Sequence, residues 1–354
     1  MNHNLQIQKI LLKVEDLKNF EDKIRVLKEA IQIADTHNDI EWGFDLRLNL
    51  IRQERNTSKC EDSFPAFAWL LNARDSDPDL FEESEFLWEY KWMVSSASRN
   101  THISKEQILE ISDDLKLRLE RNGYTARAYH NVMTSWFLHI GDYEQARECV
   151  ALADAEMVDD MANCPACELD TKVEIELLEG NMDHAIALAY DLIHHKLTCY
   201  SMPFQTFCCL CYYLVRVGDD RAQLYFDKAM EEYHKSDTYD TSVFFAMTIL
   251  MYFMHKTQRD EMWEYFEKIS EWEVGSEDVH RFNFALHMLP ILSEGGSKKL
   301  NLSPKVSYYN VDGVYDLGLL REHYHQQAKE LATRFDTRNG NQHFAARLAE
   351  FEQE

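Results

Sequence analysis

Four side chains in the middle of the sequence have the types and the spacing of metal ligands. Cys164 and Cys167 flank the dipeptide Pro-Ala, and His195 precedes Cys199 by four positions. Two such pairs can bind one zinc ion tetrahedrally, with thiolate–zinc distances of about 2.3 Å. Cys164 and Cys199 each come just before the first helix of a predicted helix pair, so stacking would bring their loops together. On this hypothesis the four residues form a closed structural zinc site.

Two other interpretations of these cysteines remain open. The chain has eight cysteines, and three of them, Cys208, Cys209 and Cys211, fall on one predicted helix. A free thiol often packs as a small hydrophobic side chain, so buried structural thiols without any cofactor are the simplest interpretation. A redox-active Cys-Pro-Ala-Cys pair is the third interpretation. The alternating strands and helices that accompany such a pair in thioredoxins are not predicted here.

The elements that would position these residues recur at a fixed period. The turns are marked by Gly141, Gly180, Gly218 and Thr257, which are 39, 38 and 39 residues apart. A small or flexible apolar residue follows each turn: Ala146, Ala185, Ala222 and Met262. Three of the second helices then keep one apolar register: Ala146, Val150, Ala153, Met157; Ala222, Phe226, Ala229, Tyr233; and Met262, Phe266, Ile269, Trp272. Steps of four and three place these side chains on one helix face, which predicts stacked helix pairs.

The helix pairs resemble tetratricopeptide repeats. That family places glycine and an aromatic residue at the turn and then small, large and small apolar residues along the second helix. Gly141, Tyr143, Ala146, Val150 and Ala153 follow that order. The period of 38–39 residues is longer than the family's 34. The resemblance implies an all-α, right-handed helical-repeat solenoid of about seven antiparallel helix pairs with a C-terminal helical cap.

The predicted organisation is one continuous solenoid in three parts. Residues 1–123 form degenerate N-terminal helix pairs, and residues 124–296 form the repeats. Residues 297–354 form an irregular segment and a C-terminal capping helix, which we expect from Leu317 to Arg338.

The resemblance also implies a function, a non-enzymatic scaffold that binds a protein or peptide in a concave groove lined by the first helices. By the same analogy the groove residues are Tyr129, Asn131, Gln205, Tyr212 and Arg216. The alternative is a sensor on the same repeats that responds to a peptide or a small molecule.

Composition narrows the function classes further. The formal net charge of −25 argues against a nucleic-acid partner and favours a basic protein partner. No phosphate-binding loop, nucleophile elbow or His-Glu-x-x-His motif is present, so nothing in the sequence indicates an enzyme. The sequence has no apolar run of about 18 residues and no signal-peptide pattern, so we expect a cytoplasmic protein without a membrane partner.

Overall fold

The computed structural model describes residues 2–354, and these residues fold almost entirely into α-helices. Within that range there are 18 α-helices and one sheet of two short strands. Six helices precede the repeats: α1 (His3–Asp16), α2 (Phe20–Thr36), α3 (Ile40–Glu54), α4 (Ser63–Ser76), α5 (Leu87–Ser98) and α6 (Lys105–Arg121). Consecutive helices pack against one another, which confirms the all-α class and agrees with a helical repeat.

The repeat region continues with ten helices in the described chain. They are α7 (Arg127–Ile140), α8 (Tyr143–Ala155), α9 (Pro165–Leu178), α10 (Met182–Leu188), α11 (Tyr190–Ile193), α12 (Phe204–Arg216), α13 (Ala222–Tyr233), α14 (Phe244–Lys256), α15 (Met262–Ile269) and α16 (Asp278–Ile291). The predicted first positions of the second helices are all buried: Ala146, Ala185, Ala222 and Met262. The small side chains let neighbouring helices approach closely, as the periodic pattern indicated.

The turn residues agree with the prediction at three positions and differ at the fourth. Gly141, Gly180 and Gly218 have positive φ angles of 78°, 82° and 71°, a left-handed conformation that glycine adopts at little cost. In the fourth pair the left-handed residue is Gln258, with φ 56°, and the predicted Thr257 is an ordinary helix cap. The period therefore lengthens by one residue at this turn.

The predicted register of the second helices also ends earlier than expected. The helix α8 stops at Ala155, and Met157 lies beyond it with 78% of its surface exposed. Trp272 lies in a 3-10 turn after α15 and is half-buried. After Ala155 the chain becomes extended at Glu156, so Met157 has no helix face on which to pack.

The C-terminal part contains more regular structure than predicted. Strands β1 (Ser297–Lys299) and β2 (Val314–Asp316) pair antiparallel across the segment predicted to be irregular. The predicted last helix is α17 (Leu317–Asn339), which ends at Gly340 in the left-handed conformation. A further helix, α18 (His343–Glu352), then packs against both α16 and α17.

Loops of the N-terminal region contact the later helices directly. Ser58 accepts a hydrogen bond from the Glu277 amide at 3.0 Å, and its hydroxyl donates to the Trp272 carbonyl at 2.8 Å. The Thr101 amide donates to the Asp278 carboxylate at 2.9 Å. These contacts bring the N-terminal region against the later helices, and residues of both line one open cavity. Within residues 2–354, no helix has both the length and the hydrophobicity needed to cross a bilayer.

Candidate functional site

The central cavity has a volume of about 1190 Å³ and is lined by residues from all three parts of the chain. Arg55 comes from the N-terminal region, Asp170 and Tyr212 from the repeats, and Arg347 from α18. This volume is slightly above the range of about 300–1,000 Å³ found for small-molecule sites, so the cavity is large enough to hold a small molecule or a short peptide segment.

Three of the five predicted groove residues line this cavity. Gln205, Tyr212 and Arg216 all lie on α12, and their spacing of seven and four positions puts them on one helix face. The Tyr212 hydroxyl lies 3.2 Å from Nε2 of His287, and the Arg216 guanidinium pairs with the Glu350 carboxylate at 3.0 Å. Burial lowers the pKa of His287 to about 3, so this imidazole is neutral at pH 7.

The other two predicted groove residues do not line the cavity. Tyr129 is half-buried, and the ammonium group of Lys116 on α6 lies 5.2 Å from its ring centroid. The Asn131 amide donates to the Glu168 carboxylate at 2.9 Å and so joins α7 to α9. Both side chains thus make contacts between neighbouring helices.

Two carboxylates that the sequence analysis did not single out lie one helical turn apart on the cavity face of α9. Asp170 accepts a hydrogen bond from the Thr206 hydroxyl at 2.5 Å. Glu174 borders the cavity, and within residues 2–354 no hydrogen bond or ion pair reaches its carboxylate. Burial raises the pKa of Asp170 to about 6, although the hydrogen bond from Thr206 lowers it. Burial and the negative charge of the nearby Asp170 together raise the pKa of Glu174 to about 7. Their i, i+4 spacing is visible in the sequence, but the buried position of Asp170 and the half-buried position of Glu174 are not.

These raised pKa values predict a pH-dependent stability. Between about pH 4 and pH 7 the folded chain binds protons at Asp170 and Glu174 more tightly than the unfolded chain does. The free energy of unfolding therefore falls as the pH rises through this range and the two carboxyl groups lose their protons. We expect Glu174→Gln to raise the free energy of unfolding by about 1–3 kcal/mol at pH 8 and to have little effect at pH 4. Urea unfolding at both pH values measures this difference. The matched control is Glu110→Gln on the exposed face of α6, and an effect of Glu174→Gln equal at both pH values would contradict the assignment.

The helix α18 forms one side of the cavity. Phe344 stacks on Phe335 of α17 with ring centroids 4.3 Å apart, and its ring lies 5.0 Å from that of Phe282. Near the other end, the Tyr252 hydroxyl donates to the Glu354 carboxylate at 2.6 Å. The sequence carries a signal for this helix that was missed, the apolar spacing of Phe344, Leu348 and Phe351, all of which are buried.

The structure brings together three of the four predicted zinc ligands, which we call the trithiol cluster (Cys164, Cys167 and Cys199). The Sγ atoms of Cys164 and Cys167 are 3.2 Å apart, and those of Cys167 and Cys199 are 3.5 Å apart. All three Sγ atoms lie within 4.8 Å of one another. Cys164 caps the N-terminus of α9, where its Sγ accepts a hydrogen bond from the Cys167 amide at 3.4 Å.

The electrostatics of the cluster differ between its members. Burial raises the pKa of Cys164, but hydrogen bonds from the Cys167 amide and from the neighbouring thiols outweigh it and lower that pKa. Burial, together with its hydrogen bond to Cys164, raises the pKa of Cys167. Cys164 is therefore the thiol of this pair that ionises first, because a thiolate at a helix N-terminus is stabilised by backbone amides.

The structure does not place His195, the predicted fourth ligand, beside these three thiols. His195 follows α11 in the left-handed conformation, with φ 55°, and its ring lies 6.1 Å from that of Phe207. Among residues 2–354, the cluster of metal-ligand atoms contains only the three cysteines. The side chain of His195 is oriented by the tight, left-handed turn after α11. Its four-residue spacing from Cys199 carries no information about that turn.

Comparison of the chain with protein-family models, with curated proteins and with solved structures finds no match in any of the three.

Proposed function

We propose that this protein is a non-enzymatic scaffold that binds a peptide segment of a partner protein in its central cavity. The observation that carries this proposal is the cavity itself, whose wall includes Gln205, Tyr212 and Arg216 on the inner face of α12. The resemblance of the helix pairs to tetratricopeptide repeats supports it, because the first helices of that family line a concave groove in which a partner peptide binds. We also propose that the helix pairs form a right-handed solenoid and that the protein is cytoplasmic.

The chemistry of the cavity favours a partner segment with a basic side chain. No cation of residues 2–354 pairs with Glu174, and Asp170 lies one turn away on the same face. A lysine or arginine of the partner would form charge-assisted hydrogen bonds there and would offset the desolvation of both carboxylates. The net charge of −25 would also attract a basic segment over a distance of about 10 Å at 0.1 M salt.

The proposal is tested with a random peptide library that is displayed on phage and selected on the full chain. We expect the enriched peptides to contain lysine or arginine, and the best of them is then synthesised for fluorescence anisotropy. Glu174→Lys should weaken its binding by about 10- to 100-fold, because the variant replaces an attractive contact with a repulsive one. Glu110→Lys, the same charge change on the exposed face of α6, should leave the affinity unchanged.

Two outcomes would contradict the proposal. One is a selection that enriches no peptide, and the other is binding that responds equally to Glu174→Lys and to Glu110→Lys. A salt-independent affinity with an intact Glu174 dependence would retain the site and remove only the long-range steering.

A second candidate function, a sensor that changes shape on binding, is favoured by the position of α18. This helix is anchored by its buried apolar side chains, and its cavity side also makes polar contacts such as the Arg216–Glu350 pair, in which Glu350 is 59% exposed. A ligand that competes for Arg216 would weaken the contact of the C-terminal end of this helix. Hydrogen exchange of α18 in the presence of the selected peptide distinguishes the two functions, since a sensor predicts faster exchange and a passive scaffold predicts no change.

A further inference from the structure

The trithiol cluster has the dimensions of a metal site rather than those of chance neighbours. A tetrahedral zinc ion with thiolate bonds of about 2.3 Å separates its sulfur ligands by about 3.8 Å. The two shorter sulfur–sulfur separations are 3.2 Å and 3.5 Å, slightly below that value. The third sulfur–sulfur separation is at most 4.8 Å, which is no more than about one ångström above it. Small rotations of the cysteine side chains would therefore admit the ion.

The backbone around the cluster is held in place from several directions. The buried ammonium group of Lys91 donates to the Met161 carbonyl at 2.5 Å and to the Asn163 side chain at 3.2 Å, just before Cys164. A small apolar group of Ala166, Leu192 and Met202 packs against the three cysteines. The backbone that carries the ligands is thus held in place before any ion binds, which reduces the entropy that binding would cost.

The protein supplies three ligands, and the cluster borders the cavity. Cys167 and Cys199 line the cavity, while the ring of His195 lies beside Phe207 instead of beside the thiols. Three protein ligands with one remaining position are typical of zinc sites that bind an exchangeable fourth ligand, whereas closed structural sites have four. Thiolates favour zinc over magnesium or calcium, which prefer oxygen ligands.

We propose that Cys164, Cys167 and Cys199 bind one zinc ion whose fourth coordination position opens onto the central cavity. Solvent fills that position in the free protein, and a nitrogen or sulfur donor of a molecule in the cavity replaces it. The site joins the loop before α9 to the loop before α12, so the ion also crosslinks two neighbouring helix pairs. This inference stands independently of the peptide-binding proposal, because the ligands and the open position belong to the free chain.

The first test measures zinc in the full chain after purification without chelators and after reconstitution with zinc followed by gel filtration. We expect about one zinc per chain, and its loss in Cys167→Ser and in Cys199→Ser. Two controls should keep the metal: Cys149→Ser, a buried thiol of a different cluster, and His195→Ala. Loss of zinc in His195→Ala would show a closed four-ligand site and would overturn the open position.

The second test uses the unaltered sequence and so does not depend on the folding of any variant. Cobalt replaces zinc, and we expect the near-ultraviolet thiolate-to-cobalt absorption and the strong visible bands of a four-coordinate ion. Imidazole, added as the probe donor, should shift the visible bands without removing the metal. Protein that stays metal-free after reconstitution, or a disulfide among the three cysteines in its place, would overturn the zinc site. Visible bands that do not respond to imidazole would overturn its opening onto the cavity.

Discussion

Phe344→Ala is expected to lower the free energy of unfolding by about 3–5 kcal/mol, because it leaves a void in a cluster of aromatic rings. Phe344 is fully buried between Phe335 and Phe282, and the ring of His139 on α7 lies 5.2 Å from it. This one side chain therefore connects α18 to α7, α16 and α17. Urea unfolding measures the loss in stability, and hydrogen exchange shows whether α18 detaches before the rest of the chain.

The matched control is Leu319→Ala on α17, where the side chain is 73% exposed. This substitution shortens an exposed apolar side chain without creating a cavity, so we expect a change within about 0.5 kcal/mol. Equal effects of Phe344→Ala and Leu319→Ala would contradict the docked position of α18, and with it the cavity wall that this helix forms.

Arg127→Met is expected to destabilise the fold by about 3–5 kcal/mol, because it breaks a buried ion pair and leaves one partner behind. The Arg127 guanidinium makes a two-bond contact with the Glu168 carboxylate at 2.9 Å and 2.5 Å. It also donates to the carbonyls of Ala153 and Glu156 at 2.7 Å and 3.0 Å. This network joins the start of α7 to the end of α8 and the first turn of α9, so we also expect faster hydrogen exchange between residues 156 and 168.

Arg25→Met provides the comparison for this prediction. Arg25 pairs with Asp22 at 3.0 Å, but its side chain is 62% exposed, and such pairs contribute less than about 1 kcal/mol. An Arg127→Met variant that is no less stable than Arg25→Met would remove the proposed link between α7 and the loop that carries Cys164. The two substitutions change the side chain in the same way, so the difference between them reports the burial of the Arg127 pair together with its two carbonyl contacts.

The repeated helix pairs could be predicted because their signals are local. A 3.6-residue period, small side chains such as Ala146 and Ala222, and glycine at a left-handed turn each act within a few residues of the chain. The same logic explains the error at the fourth turn. Without glycine there, the sequence does not mark the left-handed residue, and the structure places it at Gln258 instead of Thr257.

The candidate site was predictable only in part. Spacing within one helix can be seen in the sequence, whereas packing between helices cannot. Gln205, Tyr212 and Arg216 share a face of one helix, and their common orientation follows from their spacing. Tyr129 and Asn131 lie two positions apart on α7 and so point in different directions, Tyr129 toward Lys116 of α6 and Asn131 toward Glu168 of α9. Helical spacing predicts which residues share a face, and the packing of other elements decides what that face contacts.

The amino-acid sequence by itself determined the all-α class, the helix-pair period, and the pairing of Cys164 with Cys167 at the start of α9, since these depend on neighbours along the chain. Only the tertiary structure decided that His195 lies apart from the three cysteines, that α18 lines the cavity, and that the half-buried Glu174 has no hydrogen-bond or ion-pair partner within residues 2–354. The physical reason is distance along the chain. Contacts between residues tens to hundreds of positions apart depend on small rotations that accumulate from one helix pair to the next.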